Sequence, residues 1–146
     1  MEVIGLKITQ ECDYAIRIVL MLAKLGSGKR IDAGSIAELQ HIPQRFTVKI
    51  LRKLVQGSLV TSFKGARGGY QLGREAEAIT LKDVMWVIDG PVEINKCVNE
   101  EYICGRKKKQ DCPVHCQLKR INEMIGRELE KINFADLAEL EKDTEK

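Results

Sequence analysis

The chain lacks any long hydrophobic run. Its longest clear apolar stretch, Ile18 to Ala23, is six residues, against the ~18 that a membrane span needs, so no membrane partner is expected. The opening Met1-Glu2-Val3-Ile4-Gly5-Leu6-Lys7 has neither the basic start nor the apolar stretch of a signal peptide. A cytoplasmic location follows as the expectation, in a compartment where thiols stay reduced. No His-Cys or carboxylate pair of catalytic type is recognisable, so the chain does not read as an enzyme. Two local absences say more. Gln44 to Arg74 contains no acidic residue among seven basic ones, and Cys97 to Cys116 contains few apolar residues around which it could fold.

What is present fits one compact domain with an appended element: 146 residues, 44% hydrophobic and 31% charged. Net charge is only +3, but it is unevenly placed. Residues 1–75 hold 12 Lys/Arg against 6 Asp/Glu, and residues 76–146 hold 12 against 15. A basic half beside a mildly acidic one points to a polyanionic partner for the first.

Helical periodicity is clear over residues 9–25, where Tyr14, Ile18, Leu22 and Leu25 form an apolar stripe widened by Ala15 and Val19, and Gly26 is the stop. The turn Gly26-Ser27-Gly28-Lys29-Arg30 follows. Ser35 and Glu38 have capping-box spacing and are expected to open a short second helix, which His41-Ile42-Pro43 ends. A third helix is expected from about Gln44 to Gln56, with Phe46, Ile50, Leu51, Leu54 and Val55 inward and Arg45, Thr47, Lys49, Arg52 and Lys53 outward. Two short helices joined by a tight turn, the second carrying basic and hydroxyl side chains, form a helix-turn-helix pattern whose second helix enters the major groove. Leu59 to Phe63 and Gly69 to Leu72 read as two strands around the basic, glycine-rich tip Lys64-Gly65-Ala66-Arg67-Gly68, which is the pattern of a wing.

Beyond the wing, Thr80 caps a helix to about Ile88, in which Trp86 is expected to serve packing. Pro91 to Asp111 is a loop, and Pro113 opens a long amphipathic helix with Val114, Leu118, Ile121, Ile125, Leu129 and Ile132 in one stripe. That stripe is expected to meet a partner subunit, and the charged tail beyond Ala138 to be frayed. The fold class is therefore mainly α with a small β-hairpin. Its expected organisation is a winged helix-turn-helix domain over residues 1–90, a cysteine-rich loop over 91–112, and a dimerisation helix with charged tail over 113–146.

The cysteines follow Cys97-x6-Cys104-x7-Cys112-Pro-Val-His115-Cys116. A segment so poor in apolar residues needs a staple, and disulfides, zinc or an iron-sulfur cluster could each supply one. Structural zinc sites favour tight C-x2-4-C pairs, of which Cys112-x3-Cys116 is the only instance here. Clusters are held by thiolates, sometimes with histidine in place of one cysteine.

Leu6-Lys7-Ile8-Thr9, Asp13-Tyr14-Ala15, Ile42-Pro43-Gln44-Arg45-Phe46, Ile50-Leu51-Arg52-Lys53-Leu54, Gly65-Ala66-Arg67-Gly68-Gly69-Tyr70-Gln71-Leu72, Ile79-Thr80-Leu81-Lys82-Asp83-Val84 and Asp89-Gly90-Pro91 together resemble the Rrf family of winged-helix transcription regulators. The likeness covers roughly residues 6–132. Branches of that family include an iron-sulfur cluster regulator, a nitric-oxide-sensitive repressor and a cysteine-metabolism repressor. The resemblance implies a homodimer joined through the long helix, binding double-stranded DNA at a pseudo-palindromic operator. Its half-sites would lie about one helical turn or a multiple of it apart, ~34–36 Å per turn.

The resemblance also implies that Cys97, Cys104 and Cys112 hold an iron-sulfur cluster, although gaps of six and seven residues replace the five usual in the iron-sulfur branch. His115 stands at the place of the histidine that completes a 2Fe-2S site. Asp13 stands where the nitric-oxide branch uses an aspartate of the other subunit on a 4Fe-4S cluster. His115, and with it 2Fe-2S, is favoured because it needs no second chain and sits one short turn from Cys112. Cys116, and Cys12 beside Asp13, are extra to either pattern and could replace a ligand; burial as small hydrophobes is the plainer role for both. The run from Arg106 to Lys109 would offset thiolate charge.

Arg45, Thr47 and Lys49 are the expected base or phosphate contacts, with Arg52, Lys64 and Arg67 on the backbone. Val48 occupies the place of an acidic base-reading residue in the iron-sulfur branch, so that branch's operator does not carry over. Cluster binding would order the Pro91 to Asp111 loop against the first helix and set the wing geometry. A coupling of ~1–3 kcal/mol would change operator affinity 5- to 150-fold. Two other readings stay open: a cluster-free regulator switched by thiol oxidation or a partner protein, and a small iron-sulfur electron carrier.

Overall fold

A first helix, α1 (Gln10–Leu25), runs through the middle of the molecule and packs against four other helices. We describe the protein from a computed structural model over residues 7–106 and 108–145. The Met1 to Leu6 part of the leader reading, Leu6 of the resemblance and Lys107 of the basic run lie outside the described residues. Thr9 caps α1, its Oγ1 accepting from the Cys12 amide at 3.1 Å. Cys12, Ala15, Ile18, Val19 and Leu22 recur at three- and four-residue spacing and are all buried; of the expected stripe, Tyr14 and Leu25 are only half-buried, and Cys12 joins it.

The second helix, α2 (Ala33–Gln40), begins earlier than expected because Asp32, not Ser35, is its cap. Asp32 accepts from the Ser35 amide at 2.9 Å and from the Ser35 hydroxyl at 2.6 Å. Ser35 thus donates to the cap rather than forming it. These bonds hold the Asp32 carboxyl below its usual range, since each favours the charged form.

His41, exposed and in the left-handed region at φ 53°, ends α2. The turn leads at once into α3 (Gln44–Gln56). Thr47, Ile50, Leu51 and Leu54 lie at i, i+3, i+4 and i+7, and all four are 0% exposed. This corrects two expectations. Thr47 points into the core, its hydroxyl donating to the Pro43 carbonyl at 3.4 Å. Phe46, one residue and so about 100° off that stripe, is 38% exposed instead of buried, with the Arg45 guanidinium 4.9 Å from its ring centroid.

Strands β1 (Val60–Phe63) and β2 (Gly69–Leu72) pair antiparallel, Val60 opposite Leu72 and Phe63 opposite Gly69. The hairpin does not stand alone. Ile31, just before α2, donates to the Tyr70 carbonyl at 3.2 Å and accepts from the Tyr70 amide at 2.8 Å. Gly69 sits at φ 138°, where a Cβ would lie 2.9 Å from the Ile31 oxygen. Only glycine lets the backbones meet so closely there.

After a short 3-10 turn at Ala76–Ala78, α4 (Leu81–Asp89) opens with a full capping box: Thr80 Oγ1 accepts from the Asp83 amide at 3.2 Å, and Asp83 Oδ2 from the Thr80 amide at 2.9 Å. Val84, Met85 and Ile88 face inward. Trp86 lies on the other side and is 59% exposed, so it does not serve packing within this chain as expected.

The long helix α5 (Pro113–Glu130) has proline in its first turn and no buried residue. Leu118, Ile125 and Leu129 are half-buried, while Val114, Ile121, Met124 and Ile132 are 64%, 40%, 47% and 38% exposed. The expected frayed tail is instead a sixth helix, α6 (Phe134–Thr144). Phe134 and Ala138, at i and i+4, are buried, and the helix packs on α1. Lys24 of α1 pairs with Glu141 at 3.2 Å and Glu145 at 3.1 Å. Charge dominates the sequence of this tail, but the two inward positions Phe134 and Ala138 are enough to dock it.

Candidate nucleic-acid interface and cysteine loop

Because Thr47, Ile50, Leu51 and Leu54 take the inner face of α3, its outer face is left to Arg45, Val48, Lys49 and Arg52, all exposed. Lys64 and Arg67 are exposed at the wing tip. Of six residues expected to touch DNA, five are therefore solvent-facing and Thr47 is not. Its hydroxyl satisfies the Pro43 carbonyl and steadies the first turn of α3 from within. A threonine among basic residues looks like a contact; only the 3-4-7 spacing with Ile50, Leu51 and Leu54 betrays the inward direction.

Sequence reasoning missed Glu11. Its carboxylate lies 2.7 Å from Lys53 Nζ and 3.6 Å from Lys49 Nζ, so the first turn of α1 neutralises part of α3's basic face. Nothing in the sequence links positions so far apart. At the same end of α1, Thr9 Oγ1 donates to Asp89 Oδ1 at 2.7 Å, tying α1 to the last residue of α4. Burial, and then the negative charge and hydrogen bonding of Asp89, push the Cys12 thiol up to about 12. Cys12 is thus a protonated, fully buried group, as the plainer reading of it expected.

Past Gly90 the chain enters the cysteine loop, which holds short 3-10 turns at Lys96–Val98 and Lys109–Asp111. Hydrogen bonds from side chains hold it together. Asn122 of α5 accepts from the Ile94 amide at 3.0 Å, and Asn99 donates to Glu93 at 2.9 Å. Lys109 donates to the Asn99 carbonyl and, at 3.0 Å, to that of Glu100. One member of the basic run is therefore a loop clasp, a role invisible in a Lys-rich stretch.

Cys97, Cys104 and Cys112 are half-buried, Cys112 standing just before the first turn of α5. His115, in that first turn, is half-buried too, and its Nδ1 is buried with no hydrogen-bond partner. Cys116, for which burial is the plainer expectation, is instead exposed at the start of α5, its Sγ 3.8 Å from the Gln110 carbonyl. Asp13 is 60% exposed and 3.9 Å from Arg17.

Three thiols and an orphaned imidazole nitrogen fit an iron-sulfur cluster in donor chemistry, and the positive end of α5 beside them favours a bound anionic group. Among the described residues, however, no three Cys, His, Asp or Glu side chains converge closely enough to hold a metal ion. The candidate donors lie along one stretch of chain but are not gathered in this structure.

Comparison with known proteins agrees with this architecture. The chain is 37% identical over 87 residues to a protein of Mycobacterium tuberculosis named as an HTH-type transcriptional regulator, covering 60% of the chain and 54% of that relative, and so spanning about half its length. It is 27% identical over 132 residues to the HTH-type transcriptional regulator IscR of Yersinia pseudotuberculosis, covering 90% of the chain and 79% of that protein. Among solved structures, CymR, the global cysteine regulator of B. subtilis, superposes with a TM-score of 0.74 at 27% identity over 92% of this chain and 98% of that one. These relatives are regulators, not enzymes. The Rrf2 family, described as iron-dependent transcriptional regulators, matches residues 8–140, and the chain belongs to that family.

Proposed function

We propose that this protein is a homodimeric, DNA-binding transcriptional regulator whose DNA affinity is set by an iron-sulfur cluster held by Cys97, Cys104, Cys112 and His115. The observation that carries the reading is the buried, unpartnered Nδ1 of His115, placed one turn from Cys112 on a helix that follows a basic winged helix-turn-helix. A buried polar atom without a partner costs about 1–3 kcal/mol, and a ligand bond would remove that cost. A 2Fe-2S cluster is favoured over 4Fe-4S because a nearby histidine supplies the fourth donor; Asp13 of a partner subunit, or Cys116, are the alternatives. When bound, the cluster supplies a redox- and nitric-oxide-sensitive cross-link of the loop.

The chain's own residues do the rest. Arg45, Lys49 and Arg52 would enter or flank the major groove while Lys64 and Arg67 neutralise phosphates. Loop order would reach α3 through Asp89, Thr9 and Glu11, whose carboxylate holds Lys49 and Lys53. The exposed α5 stripe supports a homodimer, and a cytoplasmic location suits a regulator of this kind.

A duplex selected by the wild-type protein from a randomised pool tests this. Affinity is expected to differ about 5- to 150-fold between cluster-loaded and cluster-free protein. Lys64→Ala and Arg67→Ala are each expected to weaken binding and lower the salt dependence by about 0.9 in log-log slope. Equal affinity in the two states would remove the cluster from the mechanism. One observation favours a second reading: the likeness to CymR together with the exposed Cys116 thiol suits a cluster-free regulator that responds through its thiols or a partner protein.

A further inference from the structure

We propose that Arg30 is a wing-positioning residue, fixing the direction in which the wing tip presents Lys64 and Arg67. The inference rests on the DNA-binding reading and deepens it. Its guanidinium carbon lies 3.4 Å from the centroid of the Phe63 ring, at the end of β1. From that stack Nη1 donates to the Arg67 carbonyl at 3.1 Å, reaching past the end of the strand into the tip itself.

The tip has little else to fix it. Residues 64–67 are all exposed, Gly65 sits at φ 93°, and the bond from the Gly68 amide to the Gly65 carbonyl at 2.9 Å is local. A two-stranded hairpin is marginal on its own. The Ile31 to Tyr70 bridge holds its base, and Arg30 adds a tie further out.

Arg30, Ile31 and Asp32 are consecutive. The first grips the tip, the second pairs with β2, and the third caps α2. Wing and helix-turn-helix are thus registered through three adjacent residues, which gives Arg67 a defined place relative to α3.

The competing role for an exposed arginine beside a basic wing is a simple phosphate contact. Chemistry separates the two, because lysine keeps the charge but has neither the planar face that stacks on a ring nor the fork that reaches a carbonyl from that stack. The probe is a duplex enriched from a randomised pool by the wild-type protein, with affinity read by fluorescence anisotropy from 50 to 200 mM salt.

In the positioning role, Arg30→Lys and Phe63→Leu each weaken binding about 10-fold while the salt slope of Arg30→Lys stays at the wild-type value. The double variant is then no weaker than either single by more than about two-fold, because both remove the same contact. In the phosphate role, Arg30→Lys binds as the wild type and Arg30→Ala lowers the slope by about 0.9, which overturns the inference. Thermal midpoints unchanged within about 2 °C show that any loss is not unfolding. Should Phe63→Leu melt early, the comparison of Arg30→Lys with Arg30→Ala decides alone. A wild type that enriches no duplex contradicts the DNA-binding reading itself, and the inference falls with it. A wild type that binds while Arg30→Lys binds equally well removes only the inference.

Discussion

The helices bundled around α1 and the helix that follows the cysteine loop treat water in opposite ways. Ile18, Leu22, Ile50, Leu51, Leu54, Val84 and Phe134, from α1, α3, α4 and α6, are all at most 2% exposed. Helix α5, eighteen residues long, buries none, and the loop before it is held by hydrogen bonds to backbone rather than by apolar packing. A helix that keeps Val114, Ile121 and Met124 in water within one chain has not completed its packing. The first region is finished by its own sequence, and the second is left open; in the proposed reading a cluster would complete the loop and a second subunit the helix.

The sharpest way to break the contrast is at Phe134. Phe134→Ala removes a fully buried ring between α6 and the bundle and is expected to cost about 3–5 kcal/mol in denaturant unfolding. A loss under about 1 kcal/mol would place α6 outside the core. Next in size is Thr80→Ala, which removes one half of the α4 capping box and is expected to cost about 0.5–2 kcal/mol, largely restored by Thr80→Ser.

On the other side of the comparison, Ile121→Ser is expected to change the unfolding free energy of the dilute, monomeric chain by under about 0.5 kcal/mol while weakening self-association in sedimentation equilibrium. A stability loss as large as that of Phe134→Ala at low concentration would contradict the account. The smallest effect at neutral pH is at Cys12. Its thiol is raised from its ordinary value near 9 to about 12, so the unfolded chain releases this proton first. The stabilisation is present below pH 9 and is lost as pH rises from 9 towards 12. The stability of Cys12→Ala should fall less steeply than that of the wild type over that window, measured by urea titration; parallel curves would show that Cys12 is not the source.

Much of the fold was legible because its signals are local. Residues 44–56 carry a helix between Pro43 and Gly57, Thr80 caps the helix that follows the wing, and Gly65, Gly68 and Gly69 mark the wing. What sequence did not show depends on partners distant along the chain or on a single step of helical phase. Asp32 captures the Ser35 amide before Ser35 can act as a cap. Thr47 is apolar in position though polar in kind, and Phe46 is the reverse. Residues 139–145 look like a solvated tail until Lys24 and the burial of Phe134 are seen beside them.

At the site, the order of the candidate donors Cys97, Cys104, Cys112 and His115 is plain in the sequence, but not the Lys109 clasp, the Glu11 pairing or the Arg30 stack. Each of those joins residues that no spacing rule relates.

The measurement that tests the central claim most directly is a visible absorption and circular dichroism spectrum of protein purified under strict anaerobiosis, with iron and acid-labile sulfide counted per chain. Structured visible bands with about two irons and two sulfides, lost or shifted in His115→Ala, are the predicted result. A colourless protein that carries neither iron nor sulfide would contradict it.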